Sequence, residues 1–189
     1  CVQIIALNLF AMQPKVTPVD YVRPQIDTHK SRWFFFSSAS RPFGMVSLSP
    51  DTWTEGSWNS GYLYNSKEIR CFSHVHCWQL AGVPVMPTTG EVKGHKGMDA
   101  YKSTYSHETE IVKPGYHKVE LDTYQIRVEL TSTSRVGMHR YTYPAGEKAN
   151  VLFDVGALLA HGKTEKAAIH RISSKEIGGY SVLAPTSRR

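Results

Sequence analysis

The chain has 189 residues, 41% hydrophobic and 20% charged, which is long enough for one domain with a buried core and is the composition of an ordinary globular protein, not a disordered or fibrous one. The formal charge of +6 arises from 22 Lys and Arg against 16 Asp and Glu. These basic residues are dispersed and no run resembles a nucleic-acid arm, so a nucleic-acid partner is not expected, and no apolar stretch is long enough to span a bilayer.

The opening stretch from Cys1 to Gln13 is apolar, lacks helix caps and precedes the polar Pro14-Lys15-Val16-Thr17-Pro18. It reads as the end of a secretory hydrophobic region with the small Ala11 near a cleavage site, although the charged leading region is missing; the competing reading is a first strand or short core helix. Residues 1–16 are therefore set apart as a signal remnant or N-terminal extension, and 17–189 as the domain proper. Further on, Trp33-Phe34-Phe35-Phe36 runs into small residues and then Pro42, which disfavours helix at Arg41. This is either a buried strand entering a turn or a small-residue loop whose backbone approaches a ligand closely. Asp51, after Leu48-Ser49-Pro50, either bonds sugar hydroxyls or caps the turn it enters.

Trp58 lies in a Gly-, Ser- and Asn-rich segment, where loops present rings to solvent. An indole face suits the C–H face of a pyranose, and a packing role is equally open. Cys71 to His76 reads as a strand, which would project His74 and His76 on one face about 6.6 Å apart. That spacing suits joint contact with a sugar, joint metal ligation or a hydrogen-bonded structural pair. A zinc role for Cys77 with the two histidines matches no standard ligand spacing. Cys71 and Cys77 would stand about 20 Å apart on a straight strand, too far for a disulfide, and both read as small buried residues.

The remainder of the chain alternates with period two. Val119-Glu120-Leu121 and Ile126, Val128 and Leu130 form the two arms of a hairpin, with Asp122-Thr123-Tyr124-Gln125 as its loop. Further strands are expected at 136–143, 150–155, 167–172 and 176–183, separated by turn material such as Pro144-Ala145-Gly146-Glu147 and Gly178-Gly179. No stretch sustains a helical period, and the pattern predicts an all-β, antiparallel β-sandwich. Glycosidase chemistry requires two opposed carboxyl groups. Glu55, Asp99, Glu108, Glu110, Asp122, Glu129 and Asp154 fall in turns or on outward strand positions and offer no convincing pair, and no Gly-x-Ser-x-Gly elbow occurs. Neither catalytic residues nor metal ligands are expected in this chain.

Several motifs together carry a family resemblance that runs from about Tyr21 to the last residue. They are Arg41-Pro42-Phe43-Gly44-Met45-Val46, Leu48-Ser49-Pro50-Asp51-Thr52, Trp58-Asn59-Ser60-Gly61-Tyr62, Phe72-Ser73-His74-Val75-His76, Pro87-Thr88-Thr89-Gly90, His107 to Tyr116 and Glu129 to Tyr141. In order and spacing the chain resembles the amino-terminal part of the calcium-dependent α-mannosidases of glycoside hydrolase family 92. The resemblance implies an amino-terminal β-sandwich followed by an (α/α)6 catalytic barrel, and a secreted or periplasmic enzyme that hydrolyses α-mannosidic linkages, commonly α-1,2, with inversion. It implies that the acid, the base and the calcium ligands lie outside this chain, and that the partners are mannose-containing glycans and the barrel. By the same resemblance Trp58 contacts the leaving sugar, the loop backbone at Ser38 and Ala39 lines the mannose site, and His74 and His76 lie close to it. Phe34 to Arg41 and Cys77 to Val83 depart from the commoner glycine-rich sequences of the family, both where substrate is expected. The alternative is a free-standing carbohydrate-binding or adhesion sandwich without hydrolysis, and a third reading is a metal-dependent cupin-like enzyme built on His74 and His76.

Overall fold

A computed structural model of the chain describes residues 15–29, 38–54, 61–76, 83–157 and 163–184. Within them the strands are β1 (Ser49–Asp51), β2 (Glu68–Ile69), β3 (Cys71–Ser73), β4 (Val85–Thr89), β5 (Ser103–Thr104), β6 (Ile111–Lys113), β7 (Tyr116–Leu121), β8 (Ile126–Ser132), β9 (Gly137–Thr142), β10 (Ala149–Phe153), β11 (Thr164–Arg171) and β12 (Ile177–Leu183). Helical structure among the described residues is confined to single turns at Pro18–Tyr21, Gly94–Lys96 and Met98–Tyr101. The architecture is the all-β one that period-two patterning predicts.

Two four-stranded antiparallel sheets, ordered β1-β3-β4-β10 and β6-β7-β8-β9, carry the fold, with smaller pairs β2-β5 and β11-β12. The core lies between the sheets. Phe72 and Met86 reach it from the first sheet, and Val119, Leu121, Ile126, Val128 and Leu130 from the second, with Leu48 and Ala39 from the connecting loops. Burying such side chains face to face is what stabilises a sandwich, at about 1.5–3 kcal/mol for each large one.

The β7–β8 hairpin shows why the register holds. Leu121 pairs with Ile126 and Val119 with Val128, so the apolar residues of both strands fall on the same side of the pleat. The loop closes as expected over 122–125, with Gln125 at φ 54 and its side-chain amide donating to the Asp122 carbonyl at 2.8 Å. In the same inward phase as Val119 and Leu121 stands His117, which is fully buried. A buried imidazole in that row requires hydrogen-bonding partners.

The expected strands at 136–143, 150–155, 167–172 and 176–183 appear as β9, β10, β11 and β12. Two local readings are corrected. Gly178-Gly179 is not turn material but lies inside β12, and the hairpin turns instead beyond Ile172, whose N–H donates to the Glu176 carbonyl at 2.9 Å. A Cβ at Gly179 would sit 2.3 Å from the Ala168 carbonyl oxygen, so glycine is what lets the two strands close up. The strand beginning at Cys71 ends at Ser73, short of both histidines, because each imidazole leaves the strand for a partner far away in sequence.

Candidate functional site

Trp58 and Cys77 lie outside the described residues. Ser38 and Ala39 are buried beneath the loop that leads to Pro42. The Ala39 N–H donates to the Leu48 carbonyl at 3.2 Å, and the Ser38 carbonyl accepts from the Gly115 N–H at 2.8 Å. Just downstream, the Gly44 N–H closes a turn onto the Arg41 carbonyl at 3.0 Å, which leaves the Phe43 side chain fully exposed at φ 59.

His74 and His76 do not share a face. His76 is 2% exposed. Its Nε2 lies 2.5 Å from Asp51 Oδ1 and its Nδ1 2.5 Å from the Ser47 carbonyl. Nε2 also lies 3.1 Å from Ser73 Oγ; with Asp51 ionised, the carboxylate and the Ser47 carbonyl both accept, an arrangement that suits a ring protonated on both nitrogens. Burial alone would lower the His76 pKa, but the Asp51 charge and hydrogen bond, with the Ser47 carbonyl, outweigh it and the net shift is upward. The Cys71 thiol donates to Asp51 Oδ2 at 3.4 Å. Asp51 is therefore neither a turn cap nor an exposed hydroxyl ligand. It lies in β1 directly opposite Cys71 of β3 and anchors the chain that leaves β3.

His74 turns to the other sheet. Its Nε2 is 2.9 Å from Nε2 of His139 on β9, and His139 Nδ1 is 2.8 Å from the Tyr141 hydroxyl. If Tyr141 donates to Nδ1, His139 Nε2–H donates to a neutral His74. The pKa values agree with neutral rings. Burial, then the neighbouring His74, pushes His139 down to about 4, and burial followed by His76 lowers His74. The space for the His74 ring comes from Gly137, where a Cβ would lie 2.3 Å from His74 Cδ2.

The third cluster centres on Glu110, read from sequence as a surface carboxylate. Its side chain is 1% exposed, a correction whose cause is the number of donors that surround it. Oε1 accepts from His117 Nε2 at 2.8 Å and from the Tyr62 hydroxyl at 2.9 Å. Oε2 accepts from His107 Nδ1 at 2.6 Å and Gln25 Nε2 at 3.1 Å. The other nitrogen of His117 lies 2.6 Å from Ser38 Oγ, and the other nitrogen of His107 donates to the Tyr64 carbonyl at 2.7 Å. Burial would raise the Glu110 pKa, but the hydrogen bond and charge of His117, followed by the bonds from His107 and Tyr62, bring it below the usual carboxylate value. The inward phase of His117 with Val119 and Leu121 was the one signal in the sequence for this cluster.

Of the other carboxylates named from sequence, Asp99, Glu108 and Asp122 are exposed as expected, and Glu55 lies outside the described residues. Glu129 faces Arg140 across the β8–β9 pair, with contacts of 2.6 and 2.5 Å, and also accepts from Tyr116 at 2.7 Å. The Arg140 bonds, then the Tyr116 bond, take its carboxyl down to about 2. Asp154 accepts from the Tyr101 hydroxyl at 2.8 Å. Among the described residues no group of three or more His, Cys, Asp and Glu could hold a metal ion. Calcium seeks six to eight oxygen ligands, and the oxygens of Asp51 and Glu110 are engaged by N–H, O–H and S–H donors, so these residues do not fit a calcium cage. A groove of about 400 Å³ beside β10 and the β11–β12 hairpin is lined by Val92, Val151, Leu152, Phe153, Ile169 and Ile177 with Asn150, His170 and Arg171. Among the described residues its lining holds no carboxylate, and those residues do not fit glycoside hydrolysis.

The family model described as the glycosyl hydrolase family 92 N-terminal domain matches residues 21–188. The chain belongs to glycosyl hydrolase family 92. Its fold resembles that of the family GH92 α-mannosidase BT3965 from Bacteroides thetaiotaomicron, solved in complex with mannoimidazole, at 33% identity and a TM-score of 0.78, over 87% of this chain and 23% of that one. A second structure of BT3965 gives 32% identity and a TM-score of 0.80 over 91% and 24% of the two chains. The family GH92 inverting mannosidase BT2199 from the same organism shares the fold at 23% identity, with a TM-score of 0.69 over 85% and 22%. Among curated proteins none matches the chain. The chain thus spans about a quarter of the length of the family 92 mannosidases it matches, and its amino-terminal β-domain is the part of the family present here.

Proposed function

We propose that the chain forms one wall of a mannose-holding cleft in a secreted or periplasmic, calcium-dependent exo-α-mannosidase that cleaves α-1,2 linkages in mannose-containing glycans with inversion. The acid, the base and the calcium ligands come from an (α/α)6 barrel outside this chain. Trp58 meets the leaving sugar, and the Ser38–Ala39 backbone with His74 borders the mannose. His76, paired with Asp51, acts from beneath. The observation that carries this reading is the family match over 21–188 together with 33% identity to a mannosidase solved with mannoimidazole. It is supported by the state of the buried carboxylates, since Asp51 and Glu110 are surrounded by donors and neither is poised to transfer a proton to a glycosidic oxygen. Phe43 and Met45, exposed together on the loop beyond Pro42, are apolar surface suited to a domain interface.

The test uses the full-length protein with α-1,2-mannobiose, followed by NMR. Inversion requires that β-mannose appear first and mutarotate later, and a calcium chelator should abolish release. Release of α-mannose first, or activity indifferent to chelation, would remove the corresponding part of the proposal. Turnover by residues 1–189 alone at the rate of the whole protein would remove the placement of the chemistry.

A further inference from the structure

The groove beside β10 is bordered by four consecutive residues of that strand, Asn150, Val151, Leu152 and Phe153. Neighbouring side chains of a strand point to opposite faces, so a run of four lines a groove only along the strand's edge. Among the described residues that edge is unpaired, β10 being the last strand of its sheet. The Asp154 N–H donates to the Pro84 carbonyl at 2.9 Å and the Gly90 N–H to the Lys148 carbonyl at 3.0 Å, so in this register residues 148, 150, 152 and 154 turn their backbone groups toward β4. The N–H and C=O groups of Ala149, Val151 and Phe153 point the other way and have no partner among the described residues. Pro87, opposite Val151, agrees with that phase, because its position asks for no N–H toward β10.

Across the groove stands the β11–β12 hairpin, in which no residue is buried. Its pairing puts Ile169, Arg171 and Ile177 on the groove side, and Tyr180 and Val182, opposite Ala168 and Lys166, on the far side. Large apolar side chains are therefore exposed on both faces. A two-stranded ribbon bare on both faces is marginal in water and gains its stability from a third strand or a packed layer. A twofold contact between two copies would cover one patch of each, but here the edge of β10, the groove and the far face of the ribbon all lack cover. A longer polypeptide can supply all three, and the chain spans only about a quarter of the length of the mannosidases it matches.

We propose that an extended strand of the same polypeptide, from outside these 189 residues, lies in this groove, pairs with the outer edge of β10 and ties the β11–β12 ribbon to the sandwich. The proposal rests on the part of the functional reading that makes the chain the amino-terminal portion of a longer protein, and not on the sugar that protein cleaves. Strand addition fits the groove because the edge offers main-chain hydrogen bonds while the apolar lining takes alternate side chains. The incoming strand therefore carries an apolar residue at every second position, against Val151, Phe153, Ile169 and Ile177. Its end beside Arg171 and His170 carries a carboxylate, since the lining supplies positive charge there and no acidic side chain among the described residues.

The experiment is residue-resolved amide hydrogen exchange on the full-length protein, with light scattering over a dilution series. The Val151 and Phe153 amides, which have no acceptor within this chain, are expected to exchange at least ~100-fold more slowly than in an unstructured peptide, at a rate unchanged by dilution. Val151→Pro removes only an outward N–H. Proline is tolerated on a free edge, whereas in a paired strand it deletes a ladder bond, so exchange at Phe153 should rise about ten-fold in this variant. Exchange at Val151 and Phe153 as fast as in an unstructured peptide overturns the proposal, and needs no variant to be seen. Protection that disappears on dilution as a dimer dissociates assigns the groove to a second copy and overturns it equally. Fast exchange in a protein that hydrolyses an aryl α-mannoside overturns this proposal alone; protected edge amides in a protein that hydrolyses none overturn the mannosidase reading alone.

Discussion

Asp51 and Glu110 are two buried carboxylates with the same chemistry, a histidine partner and little exposure, yet they organise the chain over different distances. Asp51 receives Cys71 from the strand beside it and His76 from the segment that strand feeds into, so its work is to finish one edge of the first sheet. Glu110 receives donors that reach back 85 residues along the chain and joins the second sheet to loops that belong to neither sheet. A carboxylate bonded to sheet neighbours reinforces pairing that already exists. One bonded to dispersed loops supplies order that backbone hydrogen bonding cannot.

Removing the acceptors gives the largest expected effect. Glu110→Ala leaves His107, His117, Tyr62 and Gln25 facing an empty position, and should cost about 3–5 kcal/mol, the usual penalty for breaking a buried ion pair. Asp51→Ala should cost less, because β1 and β3 remain paired. Urea denaturation of both variants checks the order, and a greater loss at Asp51 would break the contrast.

The two centres should also respond to pH with opposite sign. Glu110 titrates below its unfolded value of 4.5, so its contribution is present above that pH and is lost as pH falls through the folded pKa. His76 titrates above 6.5, so its contribution is fully present below that pH and is lost as pH rises through the folded pKa. His139, held down to about 4, adds a loss of stability as pH falls from 6.5 toward 4. Denaturation across pH 3–9 for the parent, Glu110→Gln and His76→Gln should show the acid slope shrinking in the first variant and the alkaline slope in the second.

Gly137→Ala sharpens the comparison at smaller scale. The added methyl must displace the His74 ring from His139, at about 1–3 kcal/mol, and the His139 pKa measured by NMR should rise as its imidazole neighbour withdraws. Tyr62→Phe has the smallest effect on stability, about 1 kcal/mol for one hydrogen bond.

The β7–β8 hairpin was legible in the sequence because local alternation, a turn-prone loop and burial all point to the same register. The end of β3 was not. Cys71 to His76 keeps the appearance of a strand, and it is the reach of His76 to Asp51, 25 residues earlier, and of His74 to His139, 65 residues later, that bends it away. Glu110 was illegible for the same reason. It sits in the polar run His107-Glu108-Thr109-Glu110, where solvent exposure is the natural expectation, and its burial depends on Gln25, Tyr62 and His117 arriving from elsewhere. The Gly178-Gly179 pair was misread because glycine marks both turns and places where two backbones touch, and only the neighbouring strand distinguishes them.

Because any side chain at position 179 would collide with the Ala168 carbonyl, sequence drift along this hairpin is lopsided. The apolar residues around it can interchange with one another at little cost, whereas every substitution at this single site must prise the ribbon apart. In a collection of variants the site should stand out as intolerant although it touches no sugar, carries no charge and contributes no side chain at all.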